Sequence, residues 1–191
     1  MPTPPALPVT GDPEADALLE TDPLALLIGM VLDQQVPMER AFHSPYDLKQ
    51  RLGGELDAAV IAEMDEGRFG ELFSQKPALH RFPGSMAKRV QAVCQALIEG
   101  YDGKADNVWK SAKTGKELFV RLRELPGFGP EKSHIFVALL AKRFDVKPEG
   151  WEEYAADWAS VADIDSPESL DRVREAKRAM KAAKAAKKSG A

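Results

Sequence analysis

The chain has 191 residues, 44% apolar and 29% charged, enough to bury a core in one domain or two small lobes. Its single cysteine, Cys94, excludes an intramolecular disulfide and a four-cysteine metal cluster, and points to a reducing compartment. The net charge of −4 is not that of a uniformly basic nucleic-acid binder, and no apolar run reaches the ~18 residues of a membrane span.

Met1 to Pro13 is Pro-rich and lacks a basic-then-apolar leader pattern, so a cytoplasmic, nucleoid-associated location is expected. Residues 1–20 read as an irregular arm with one short helix at Pro13–Glu20. Asp22 then caps a helix with Pro23 in its first position, and Leu24, Leu27, Ile28 and Val31 form its buried stripe. That helix ends near Gln34–Gln35–Val36–Pro37. Ser44–Pro45 is predicted to open the next helix, with Gly53–Gly54 as its stop. Further helices are predicted at Leu56–Met64 and Arg68–Ser74. After Ser85 comes the clearest amphipathic helix, with Val90, Val93, Cys94, Leu97 and Ile98 on one face and a break at Gly100–Gly103. Two more helices, Gly115–Glu124 and Pro130–Phe144, flank a turn. Asp145–Glu153 reads as a loop, and Ser166–Pro167 opens a last helix that runs into the tail. No strand alternation and no fixed-period repeat appears, so an all-α fold is expected.

Charge is unevenly spread. From Arg172 to Ala191 the chain carries eight Lys or Arg and one acid, Glu175, leaving about eleven net negative charges on the rest. Such a tail suits a non-specific grip on DNA, and equally a solvated end that aids solubility.

The turn Leu125–Pro126–Gly127–Phe128–Gly129–Pro130 carries most information. Two glycines one residue apart let the backbone bend sharply and approach a ligand closely. Free amides at such a bend, beside a helix N-terminus, form an anion site, and the natural anion is a nucleic-acid phosphate.

Leu125–Pro–Gly–Phe–Gly–Pro–Glu–Lys132 resembles the helix–hairpin–helix of the DNA glycosylases related to endonuclease III, the HhH-GPD superfamily. Leu27–Ile–Gly–Met–Val–Leu–Asp–Gln–Gln35 is similar to that family's first barrel helix and its Gln-containing turn, and Ser85–Leu97 to the helix before the hairpin. The likeness spans about residues 23–150. It implies a two-lobed fold: a six-helix barrel over residues 23–143 containing the hairpin (about 116–143), and a second lobe from residues 1–22 and 144–170. Residues 171–191 are left as a basic, flexible tail. Members flip a damaged base from the duplex and cleave its N-glycosidic bond, because the bond cannot be reached in a stacked pair. The expected partner is double-stranded DNA, the expected state a monomer, and no cofactor is implied beyond a monovalent cation at the hairpin carbonyls.

Breaking a glycosidic bond develops oxocarbenium character that a carboxylate stabilises. The family's acid falls at Glu149 by register, with Asp145 and Glu152 as competitors. The lysine of bifunctional members falls at Glu131, with Lys132 one residue further, ~100° around the helix. Loss of that lysine predicts a monofunctional hydrolase without lyase activity. Glu131 and Glu149 facing one cleft would form an acid/base pair, although an acid in a first helical turn is also favoured by the macrodipole alone. Gln35 aligns with the residue that fills the hole left by a flipped base, and Gln34 beside it is expected at DNA. Pro126, Gly127, Phe128, Gly129, Lys132 and Ser133 are expected at DNA, with Arg81, Lys88 and Arg89 as further phosphate contacts. Trp151 is the expected base-stacking partner, ahead of Trp109, Tyr154 and Trp158. His43, His80 and His134 show no metal spacing.

Overall fold

The structure, a computed structural model, describes residues 5–190 and is all-helical. The beginning of the expected N-terminal arm, residues 1–4, and the last tail residue, 191, lie outside the described residues. Ten helices follow one another: α1 Pro13–Thr21, α2 Pro23–Leu32, α3 Met38–Arg51, α4 Ala58–Glu63, α5 Glu66–Ser74, α6 Pro83–Tyr101, α7 Asn107–Lys110, α8 Gly115–Glu124, α9 Pro130–Phe144 and α10 Pro167–Ser189. Two 3₁₀ turns, Trp151–Glu153 and Val161–Asp163, lie between α9 and α10.

Most boundaries are set by short polar caps. Asp12, Asp22, Asp57, Asp65, Thr114 and Ser166 each accept a first-turn amide, and Pro occupies the first helical position after Asp12, Asp22 and Ser166. From Leu24 to Leu32 every residue of α2 is buried, so this helix is the axis of the core. α3 crosses it at Gly29, where a methyl group would sit 2.5 Å from the Phe42 ring. α6 packs on α2, α4 and α5 along Val90, Val93, Cys94 and Leu97. One continuous cluster of buried apolar side chains joins Leu7, Val9 and Leu19 near the N-terminus to Val161, Ile164 and Val173 near the C-terminus. The segments expected as a second lobe therefore share their core with the central helices.

Three local expectations are corrected. Ser44–Pro45 lies inside α3 rather than opening a helix. Pro45 cannot donate to Ala41, and the buried Ser44 hydroxyl lies 2.8 Å from the Arg40 carbonyl and 2.6 Å from that of Leu79, tying α3 to the segment before α6. α6 opens at Pro83, two residues before Ser85, because Pro83 supplies the N-terminal φ. The short helix α7 was not anticipated; its Trp109 packs edge-on to Phe136 at 5.7 Å in the core, which removes Trp109 from the stacking candidates.

Candidate nucleic-acid interface

α8 and α9 form the hairpin. The bend between them is built from Gly127 at φ +82° and an extended Gly129 that precedes α9 without a side-chain cap. Phe128 donates its amide back to Leu125 at 3.1 Å. The Gly127 and Gly129 amides have no protein acceptor among the described residues, and both residues are exposed. Together with the uncapped first turn of α9 they leave a cluster of free N–H groups at a positive helix end. Two expected DNA contacts do not belong to it. Phe128 is buried against Phe136, ring centroids 6.0 Å apart, and anchors the bend. Ser133 is buried and donates its hydroxyl to the Gly129 carbonyl at 2.8 Å, closing the hairpin from within. Pro126 is half-buried at the rim.

A second feature stands beside the hairpin. After Leu32 the chain turns through Asp33, Gln34 and Gln35, and Gln35 is held at φ +56° with its side chain exposed. His80 secures this turn: Nε2 lies 3.1 Å from the Leu32 carbonyl and 2.9 Å from that of Gln34. Two acceptors there place the proton on Nε2, and Nδ1 accepts from the Phe82 amide at 2.9 Å. Burial holds the His80 imidazole below its ordinary pKa, keeping it neutral. The Gln34 amide contacts Met86 Sδ at 3.1 Å on α6. Phe82 stays 41% exposed, with the Arg81 guanidinium 5.3 Å from its ring centre.

Lys132 joins hairpin and turn. Its Nζ donates to the Val31 carbonyl at 3.1 Å, closing the end of α2 from the side of α9. Burial pushes its pKa down to about 8, with Arg89 and Lys177 adding to the depression and Asp33 opposing it. Arg89 from α6 lies across Gly127, where a methyl group would meet its Cδ at 2.5 Å. The Asp33 carboxylate is 7% exposed and 3.9 Å from Lys177 Nζ; burial raises its pKa although Lys177 and Lys132 pull it down. The junction thus sets two cations, Lys132 and Lys177, about one nearly buried carboxylate, with Arg89 beside Lys132.

The carboxylates expected at a catalytic cleft lie elsewhere. Glu131 is exposed at the start of α9, 3.6 Å from Lys184 of α10. Glu149 is at the other end of the hairpin. Its backbone pairs with Lys113 and Gly115, at 3.3 and 2.8 Å, at the start of α8, and the ten residues of α8 put ~15 Å between that point and the bend. The Glu131–Glu149 pair is therefore not assembled. The cause is local: Asp145 ends α9 in a left-handed conformation, and the chain folds back along the start of α8. Asp145 and Glu152 are exposed on this same loop, Asp145 beside Lys147 at 3.0 Å. Trp151 packs its backbone against Gly115, where a methyl group would lie 2.6 Å from Trp151 Cα, so it too is remote from Lys132. Tyr154 packs on Phe119 and Trp158 on His134, forming an aromatic cluster with the Phe119–His134 stack.

Sequence reading passed over Asp33, Phe82 and the clamp role of His80. The available signal was a polar triplet, Asp33–Gln34–Gln35, directly after a wholly apolar helix. Among the described residues no cluster of His, Cys, Asp and Glu is arranged to hold a metal, and no helix is long and apolar enough to cross a membrane. Comparison with curated proteins and with solved structures finds no match. A family model does match, over residues 28–190, and its description is HhH-GPD superfamily base excision DNA repair protein. With glycine bend, uncapped helix and clamped glutamine turn lying within that span, the chain belongs to the HhH-GPD superfamily of base excision DNA repair proteins, a DNA-binding family.

Proposed function

We propose that this protein is a monofunctional DNA glycosylase that hydrolyses the N-glycosidic bond of a damaged or mismatched base flipped from double-stranded DNA. The observation that carries the reading is the junction of Asp33, Gln35, Lys132 and Arg89 beside the two free glycine amides. In this reading Gly127 and Gly129 hold a phosphate through their amides, with no base preference. Gln35 enters the stack from its constrained turn and hydrogen-bonds the widowed base, while Phe82 wedges the neighbouring step. Asp33 takes the part first expected of Glu149. A carboxylate in a poorly solvated site stabilises the developing oxocarbenium ion more strongly than one in water. Lys132 supplies positive charge near the leaving base.

A panel of single-lesion duplexes tests this. Base release seen as alkali-dependent strand breaks is the expected result, and Asp33→Asn should abolish release while leaving duplex affinity within about twofold. Breaks without alkali would replace the hydrolase by a lyase, with the Lys132 amine as nucleophile. The second reading, a damage-recognition protein without catalysis, draws on the separation of Glu131 from Glu149. It would stand if the panel gave tight lesion binding and no base release.

A further inference from the structure

α10 runs past the end that the hairpin domain needs for its own packing. Val173 is its last buried residue and Met180 its last half-buried one, and every described residue from Lys181 onward is exposed. The helix crosses the junction described above: Arg174 pairs with Glu39 at 2.5 Å, Lys177 stands 3.9 Å from Asp33, and, further along, Lys184 stands 3.6 Å from Glu131. The helix thus touches both the glutamine turn and the hairpin helix. At ~100° per residue, Lys177, Lys181, Lys184 and Lys188 fall within about 60° of arc, a stripe about 16 Å long. Two of the four already touch the junction, so the stripe faces it. Arg178 and Lys187 lie on the flanks. An exposed helix with no apolar face gains nothing from packing. It does gain from a polyanion, and a chain that is otherwise strongly acidic offers DNA few other attractive surfaces.

We infer that the Lys177–Lys181–Lys184–Lys188 stripe of α10 is a second phosphate-binding rail, which grips the sugar–phosphate backbone of the same duplex next to the hairpin. Asp33 and Glu131 hold the rail in register when DNA is absent and hand its lysines to phosphates when DNA arrives. The inference rests on the DNA-binding reading of the hairpin, and its test separates the two. Each phosphate neutralised contributes about 0.9 to the slope of log K against log salt.

Duplex binding is measured between about 50 and 200 mM salt for the full chain, for Lys181→Gln with Lys184→Gln, for the flank pair Arg178→Gln with Lys187→Gln, and for Gly127→Asp. Both pairs remove the same charge from exposed positions, and circular dichroism confirms that the fold is retained. The stripe pair should lower the slope by about 2, and the flank pair by less than 1. Equal losses in both pairs, or none in either, overturn the rail. Binding lost with Gly127→Asp alone keeps the hairpin reading and removes this one; binding lost with the stripe pair alone removes the hairpin reading and, with it, a rail defined as the second grip beside the hairpin. Tighter, stripe-dependent binding to phosphatidylserine vesicles than to duplex would assign the stripe to an anionic membrane surface and overturn the proposal.

Discussion

Replacing Lys132 by Met should make the protein more stable at neutral pH while weakening its function. Lys132 ordinarily titrates near 10.5, and burial among Arg89 and Lys177 brings it to about 8. A folded-state pKa below the unfolded one means that the native protein binds fewer protons between pH 8 and 10.5. The lysine therefore opposes folding below pH 8, and this penalty fades as pH rises through that window. The interval of about 2.5 pH units corresponds to at most ~3.4 kcal/mol. Partial solvation reduces this to about 1–2 kcal/mol, and the Val31 carbonyl, losing its 3.1 Å donor, takes back about 1. A net gain near 1 kcal/mol corresponds to a Tm rise of about 2–4 °C for a chain of this size. Thermal unfolding of both proteins at pH 7 and pH 10 is the assay. The difference between them isolates Lys132 from Tyr101, whose pKa is raised by burial and which acts with the opposite sign. A variant less stable than the parent at pH 7, or a difference that does not shrink by pH 10, would refute the reasoning.

Three further substitutions probe the surrounding geometry. Gly115→Ala forces a methyl group to 2.6 Å from Trp151 Cα and 2.7 Å from the Gly150 carbonyl, both backbone, so urea unfolding should register a loss of about 2 kcal/mol or more. Gly127→Ala combines φ +82° with a contact to the movable Arg89 side chain; about 1 kcal/mol of stability and a several-fold loss of duplex affinity are expected, by chemical unfolding and by fluorescence anisotropy. Gln35→Ala should weaken binding to lesion duplex at least threefold more than to intact duplex in competition titrations; equal losses would remove its wedge role.

The hairpin was legible because glycine and proline impose backbone conformation directly. Gly127 does adopt positive φ, and Pro130 does open α9. The apolar run of α2 and the caps at Asp22 and Ser166 were legible for the same local reason. Ser44–Pro45 misled because a helix-start signal is overridden when the serine hydroxyl finds acceptors in its own helix, at Arg40, and across the fold, at Leu79, and the helix continues through the proline. The carboxylate proposed for catalysis was harder still. Counting from the hairpin reached Glu149, but a left-handed residue at 145 and a backbone pairing to Gly115 redirect the loop, and neither is encoded in residue spacing. Asp33 was hidden for a different reason. Its significance comes from Lys132, 99 positions away, and from Lys177 on the last helix, and such a meeting is decided by packing rather than by pattern.

His80 ties two structural events to one proton. Its ring bridges the Leu32 and Gln34 carbonyls at and beyond the end of α2 and the Phe82 amide just before α6, and it can do both only while Nδ1 is bare. Acidification that charges the imidazole puts a second hydrogen against the Phe82 N–H, so the glutamine turn and the exposed phenylalanine slacken as a unit. Because burial defers that event to below the usual imidazole range, the two probes that would enter a duplex stay fixed in place throughout neutral pH.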